Sequence, residues 1–126
     1  MKKKYLIVLA NYYKNISEGL LKSAKDCLPR DSVIKTINVP GIFEIPITIS
    51  KNIKKYDAFL ALGCVIKGQT PHFDFISKAS TDAIMQLSIK NKKPIGNGIL
   101  TCLNKKQAIA RKKKGKEAAL AVISVL

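Results

Sequence analysis

The sequence predicts an α/β fold, a parallel sheet with helices packed on both faces. Two observations carry that expectation. Strand-like and helix-like segments alternate in the order β-α-β-α-β-α-β-α, which right-handed crossovers turn into parallel strands. The best strand candidates are continuous apolar runs, as strands covered on both faces require. Tyr5 to Ala10 is the first such run, bounded by Lys and Asn. Ile16 to Leu28 reads as a helix, with Leu20, Leu21, Ala24, Cys27 and Leu28 along one stripe and Pro29 ending it. Ser32 to Val39 alternates as a second strand, and Pro40-Gly41 turns the chain. Phe43 to Tyr56 is the second helical segment; Pro46 fits a first turn, although Ile47-Thr48-Ile49 dilutes the helical signal. Ala58 to Ile66 is the most apolar segment and reads as a central strand. Pro71 to Lys90 is a long amphipathic helix, because Phe73, Ile76, Ala79, Ala83, Ile84 and Leu87 recur at helical spacing. Pro94 to Leu100 is the fourth strand, Lys105 to Lys112 a short helix, and Ala118 to Val125 the last helix, after the polar stretch from Arg111 to Lys116.

At 126 residues the chain is expected to form one domain over its whole length, 1–126. Apolar residues at 47% and charged residues at 25% exclude a disordered or collagen-like chain. The net charge of +15 would attract polyanions. Yet the basic residues are 21 Lys and only 2 Arg, whereas readers of base edges rely on Arg. The Lys excess therefore reads as solvated surface, with no nucleic-acid partner expected. Cys27, Cys64 and Cys102 are isolated, which argues against a disulfide framework or a zinc knuckle. The run Leu6–Ala10 is too short to span a membrane, and no signal peptide is evident. A cytoplasmic protein without a membrane partner is the expectation.

Open parallel sheets bind ligands at the carboxyl ends of their strands. The segments there are Asn11-Tyr12-Tyr13, Pro40 to Glu44, Lys67 to His72, and the chain beyond Leu100. The third is the most informative. Gly68 allows a tight bend, Thr70 can cap the following helix, and Pro71 fits its first position. The amides around Gln69 and Thr70 would then form a nest for an anion such as phosphate. His72 in the first turn is either a proton-transfer group beside that nest or a packing residue. Glu44 either meets a helix dipole or accepts hydroxyls of a polyol. Tyr12 and Tyr13 either stack on a planar ligand or simply flank the strand end. Arg111 stands out in a chain that uses so little Arg; it either clamps a phosphate or lies on the surface. Lys114, with four other Lys within five residues of Arg111, reads as solvated surface. No metal-ligand set and no nucleotide-binding glycine pattern is visible.

Four ordered motifs together resemble the lumazine synthase family. They are Val39 to Pro46 (VPGIFEIP), Ala61 to Asp74 (ALGCVIKGQTPHFD), Gly98 to Thr101 (GILT) followed by Gln107 to Arg111 (QAIAR), and Lys114 to Ala119 (KGKEAA). The resemblance implies a flavodoxin-like three-layer α/β/α sandwich with a four-stranded parallel sheet. It implies condensation of 5-amino-6-(D-ribitylamino)uracil with 3,4-dihydroxy-2-butanone 4-phosphate to 6,7-dimethyl-8-ribityllumazine in riboflavin biosynthesis, without metal or organic cofactor. It further implies a homo-oligomer, either a pentamer or twelve pentamers in an icosahedral shell, with the riboflavin synthase alpha chain as a partner. Active sites would lie between subunits. A non-catalytic shell or scaffold subunit of the same fold is the alternative.

Carried over residue by residue, the resemblance puts Tyr12 on the pyrimidine ring and Ile42, Phe43 and Glu44 on the ribityl chain. Backbone groups of Cys64, Val65 and Ile66 would meet the pyrimidine, and amides of Gln69 and Thr70 the phosphate. His72 would transfer protons. Asn97, beside the ring, and Arg111, on the phosphate, would come from the adjacent subunit, with Lys114 near the same phosphate. The chain departs from the family pattern in places. Tyr13 stands where Asn is common, Ile42 where a small residue is usual, Asn97 where many members have Phe, and Lys106 where an acidic residue precedes Gln107. Only two residues separate Arg111 from Lys114, a shorter connection than usual.

Overall fold

The alternating segments close into one four-stranded sheet in which every neighbouring pair is parallel. The structure, a computed structural model, describes residues 2–69 and 71–126. The strands are β1 (Lys4–Ala10), β2 (Val33–Val39), β3 (Ala58–Ile66) and β4 (Ile95–Cys102). The helices are α1 (Lys14–Lys25), α2 (Ile45–Lys51), α3 (His72–Asn91), α4 (Lys105–Ala110) and α5 (Lys114–Val125), with a single 3-10 turn at Ile42–Glu44. Strand order is β2-β1-β3-β4. Ile7 of β1 lies between Thr36 and Leu60, so the two most apolar strands fill the middle of the sheet.

The period-two alternation of strand side chains divides the interior into two cores. Tyr5, Ile7, Leu9, Leu60 and Leu62 face one side, where Ile16, Leu20 and Ala24 of α1 meet Ala118, Ala119 and Val122 of α5. Leu6, Val8, Ala10, Phe59 and Ala61 face the other, under Ile45 and Ile49 of α2 and Ile76 and Ile84 of α3. This is the three-layer α/β/α arrangement expected from the sequence.

The element boundaries differ from the expectation where side-chain pattern alone does not set them. β3 has the expected limits. α1 starts two residues early, at Lys14, and gives way to turns after Lys25. α2 stops at Lys51 instead of Tyr56: Asn52 donates from Nδ2 to the Thr48 carbonyl at 2.8 Å, closing the helix. Tyr56 instead stacks edge-on against Phe59, at 6.0 Å between centroids. β4 runs on to Cys102 because Thr101 and Cys102 pair with Val65 and Ile66. α4 ends at Ala110, and α5 begins at Lys114, four residues before the expected Ala118. Pro71 stands just before α3 and not in its first turn. The expected cap at Thr70 lies outside the described residues.

Candidate active site

The loops that leave β1 and β3 are held by backbone and buried side-chain hydrogen bonds. Asn11 N–H donates to the Val39 carbonyl at 3.1 Å, tying the end of β1 to the end of β2. The Ser17 hydroxyl, on the buried face of α1, donates to the Ala10 carbonyl at 2.7 Å. Ser17 N–H donates to the Tyr13 carbonyl at 2.9 Å, which opens the helix. Past β3, Lys67 N–H donates to the Cys102 carbonyl at 2.9 Å. Strand ends fixed in this way can present side chains with little reorganisation.

Gly63 decides the floor. A Cβ there would lie 2.5 Å from Ile42 Cδ1 and 2.9 Å from Ala10 Cβ, so only a glycine lets the 3-10 turn tuck Ile42 beneath the sheet end. The result is a cleft of about 350 Å³. Its floor is Gly41, Ile42 and the last three residues of β3, Cys64, Val65 and Ile66. Tyr12 and Tyr13 form one wall, and His72 and Ile76 of α3 the other. His72 is the first residue of α3 and is exposed; Ile76, one turn later on the same face, is buried.

Phe43 and Glu44 line a separate apolar groove of about 380 Å³ with Pro46, Ile47 and Ala79. Ile76 lines both concavities, so they adjoin at that side chain. The Glu44 carboxylate leans back towards the cleft, with Oε1 3.3 Å from the Cβ position of Gly41.

The cleft gathers Tyr12, Ile42, Cys64, Val65, Ile66 and His72 from the expected set, with Phe43 and Glu44 alongside. It does not include the others. Gln69 is exposed on the loop before α3, and Thr70 lies outside the described residues. Gly68 needs no special backbone freedom: no glycine has positive φ among the described residues, and a Cβ on Gly68 would meet nothing within 4 Å. Asn97 is exposed on β4, where its Oδ1 accepts from Ile99 N–H at 3.0 Å. Arg111 and Lys114 share a concavity of about 520 Å³ with Lys113, Lys116 and Glu117 at the α4–α5 turn. That concavity and the His72 cleft have no lining residue in common.

Burial, and next the neighbouring Cys102, pushes the Cys64 thiol up to about 12. Cys64 therefore offers the cleft a neutral thiol and backbone groups, not a thiolate nucleophile. Burial also raises the Tyr13 phenol, with Tyr12 and Cys64 adding to the effect. All three cysteines are free. Among the described residues, no three of His, Cys, Asp and Glu converge as a metal site would need, and no helix is long and apolar enough to cross a membrane. Gly41 falls within the Pro40 to Glu44 segment that the sequence places at the strand ends, whereas sequence reasoning did not single out Ile76 as a cleft residue. The helical phase from His72 was the signal for Ile76.

The family model for 6,7-dimethyl-8-ribityllumazine synthase matches residues 2–126. A protein of that name from Bartonella tribocorum (strain CIP 105476 / IBS 506) is 43% identical, over 95% of this chain and 87% of its own length. One from Agrobacterium fabrum (strain C58 / ATCC 33970) is 41% identical, over 96% and 90%. One from Sulfurimonas denitrificans (strain ATCC 33889 / DSM 1251) is 40% identical, over 98% and 88%. The match takes in every element of the fold, from β1 to α5, and on that basis the chain belongs to the 6,7-dimethyl-8-ribityllumazine synthase family.

Proposed function

We propose that this chain, as one domain, is a 6,7-dimethyl-8-ribityllumazine synthase of riboflavin biosynthesis. It joins 5-amino-6-(D-ribitylamino)uracil to 3,4-dihydroxy-2-butanone 4-phosphate and releases phosphate and water. The observation that carries this reading is the family match over residues 2–126. The cleft at the carboxyl ends of β1 and β3 supports it, because that is where an open parallel sheet holds ligands.

In this reading the pyrimidine lies on the exposed ring of Tyr12 and meets backbone groups of Cys64, Val65 and Ile66. The ribityl chain runs past Ile42 and Phe43, with its hydroxyls donating to the Glu44 carboxylate. The amine on C5 of the pyrimidine attacks the ketone and an imine forms with loss of water. Phosphate then leaves by elimination, which requires a proton to be removed nearby. Ring closure by the ribitylamino nitrogen and a second loss of water complete the lumazine. His72, at the mouth of the cleft, shuttles these protons. Amides of Gln69 and Thr70 hold the departing phosphate together with Arg111. Much of the acceleration comes from holding two small reactants in register.

In this reading Arg111 and Lys114, which line a concavity of their own in one chain, serve the cleft of a neighbouring copy, with Asn97 beside the ring. The same reading makes the protein a homo-oligomer, a pentamer or a shell of pentamers, working in the cytoplasm.

Two substitutions test the roles. Positioned acid–base groups contribute about 10²- to 10⁴-fold, so His72→Ala should lower lumazine turnover by at least about a hundredfold. Removing a charge-assisted contact costs roughly 1.5–3 kcal/mol, so Arg111→Ala should raise KM for the phosphorylated ketone about tenfold to a hundredfold. Unchanged turnover in the first, or unchanged KM in the second, would remove that residue from its role.

A further inference from the structure

We infer that Tyr13 is a positioning residue that sets the orientation of the Tyr12 ring, and so the affinity for the planar pyrimidine, without itself stacking on the substrate. This rests on the functional reading above. Tyr12 is the stacking wall of the cleft, yet within one chain the residue is 76% exposed. A ring so exposed samples several staggered rotamers unless something holds it, and ordering it on binding would weaken affinity. Tyr13 supplies a restraint. The two rings meet edge to face, 4.9 Å between centroids and 81° between planes, the favoured aromatic arrangement.

Tyr13 is itself anchored. It is half-buried against the core between the sheet, α1 and α5. It stands at the start of α1, and its carbonyl accepts the Ser17 N–H. One residue before Tyr12, Asn11 is tied to Val39. Tyr12 is thus the free position between two fixed ones, and its ring leans on the fixed neighbour. Tyr13 also lines the cleft, as Cys64 does. Its ring plane is nearly perpendicular to that of Tyr12. A flat ligand stacked on Tyr12 therefore cannot also stack on Tyr13.

The test is a double-substitution cycle read by steady-state kinetics of lumazine formation. An aromatic pair contributes about 0.5–1.5 kcal/mol, so Tyr13→Leu, which keeps apolar volume against the core, should raise KM for the pyrimidine about twofold to tenfold. kcat and KM for the phosphorylated ketone should change less than twofold. Tyr13→Phe keeps the ring and should restore the wild-type KM. In a Tyr12→Ala background, Tyr13→Leu should add nothing, because the ring it positions is gone. Additive effects of the two substitutions would overturn the inference, since Tyr13 would then contact substrate directly. So would an unchanged KM in Tyr13→Leu, failure of Tyr13→Phe to restore it, or parallel changes in every parameter. Wild-type protein that makes no lumazine would instead refute the functional reading, and the inference with it.

Discussion

Cys64 lines the cleft, yet its surroundings remove its nucleophilic chemistry. Its raised pKa has a consequence whose sign is fixed. The folded state holds the thiol proton more tightly than the unfolded chain does. The contribution to stability is complete below the ordinary value of 9.0 and is lost as pH rises from there towards about 12. At pH 8, iodoacetamide should therefore modify the half-buried Cys27 well before Cys64, read by mass spectrometry of the peptides. Equal rates would contradict the buried, protonated thiol. Single residues differed in how far the sequence alone could place them. His72 and Tyr12 could be read as candidates for the ligand end of the sheet because each follows an apolar strand run at a turn, and both line the cleft. The edge-to-face contact of Tyr12 with Tyr13 could not, because adjacency in sequence says nothing about ring angle. Nor could sequence place Asn97, Arg111 and Lys114, which lie apart from the cleft within one chain.

At the scale of elements, β3 could be read to the residue because both of its faces are buried and its apolar run ends where burial ends. α5 was the opposite case. Its first turn, Lys114 to Glu117, reads as a polar loop, yet Lys and Glu are good helix formers. What fixes the early start is Gly115: a Cβ there would collide with the Leu20 carbonyl oxygen and stand 2.6 Å from Ser23 Oγ. The backbone of α5 thus lies directly on α1, and the side chain of Lys112 covers Gly19 beside it. Overpacking of this kind costs about 1–3 kcal/mol. Gly115→Ala should lower the denaturant midpoint accordingly. Gly68→Ala, with nothing within 4 Å, should leave it unchanged. Equal stability of the two variants would show that α1 and α5 are not in backbone contact. The end of α2 was hidden for another reason: a side-chain cap at Asn52, not the apolar pattern, terminates it.

At the scale of the molecule, alternation of strand and helix was enough to predict the layers. The proposed division of the site between copies comes only from family resemblance, since periodicity cannot say which copy a residue serves. A charge of +15 per copy makes any assembly strongly cationic, and its association salt-dependent. The most direct test separates the purified protein by size at moderate salt and assays each fraction for lumazine formation from the two substrates. The account predicts that an oligomeric fraction makes 6,7-dimethyl-8-ribityllumazine well above the uncatalysed rate. Assembled protein that makes none would contradict it.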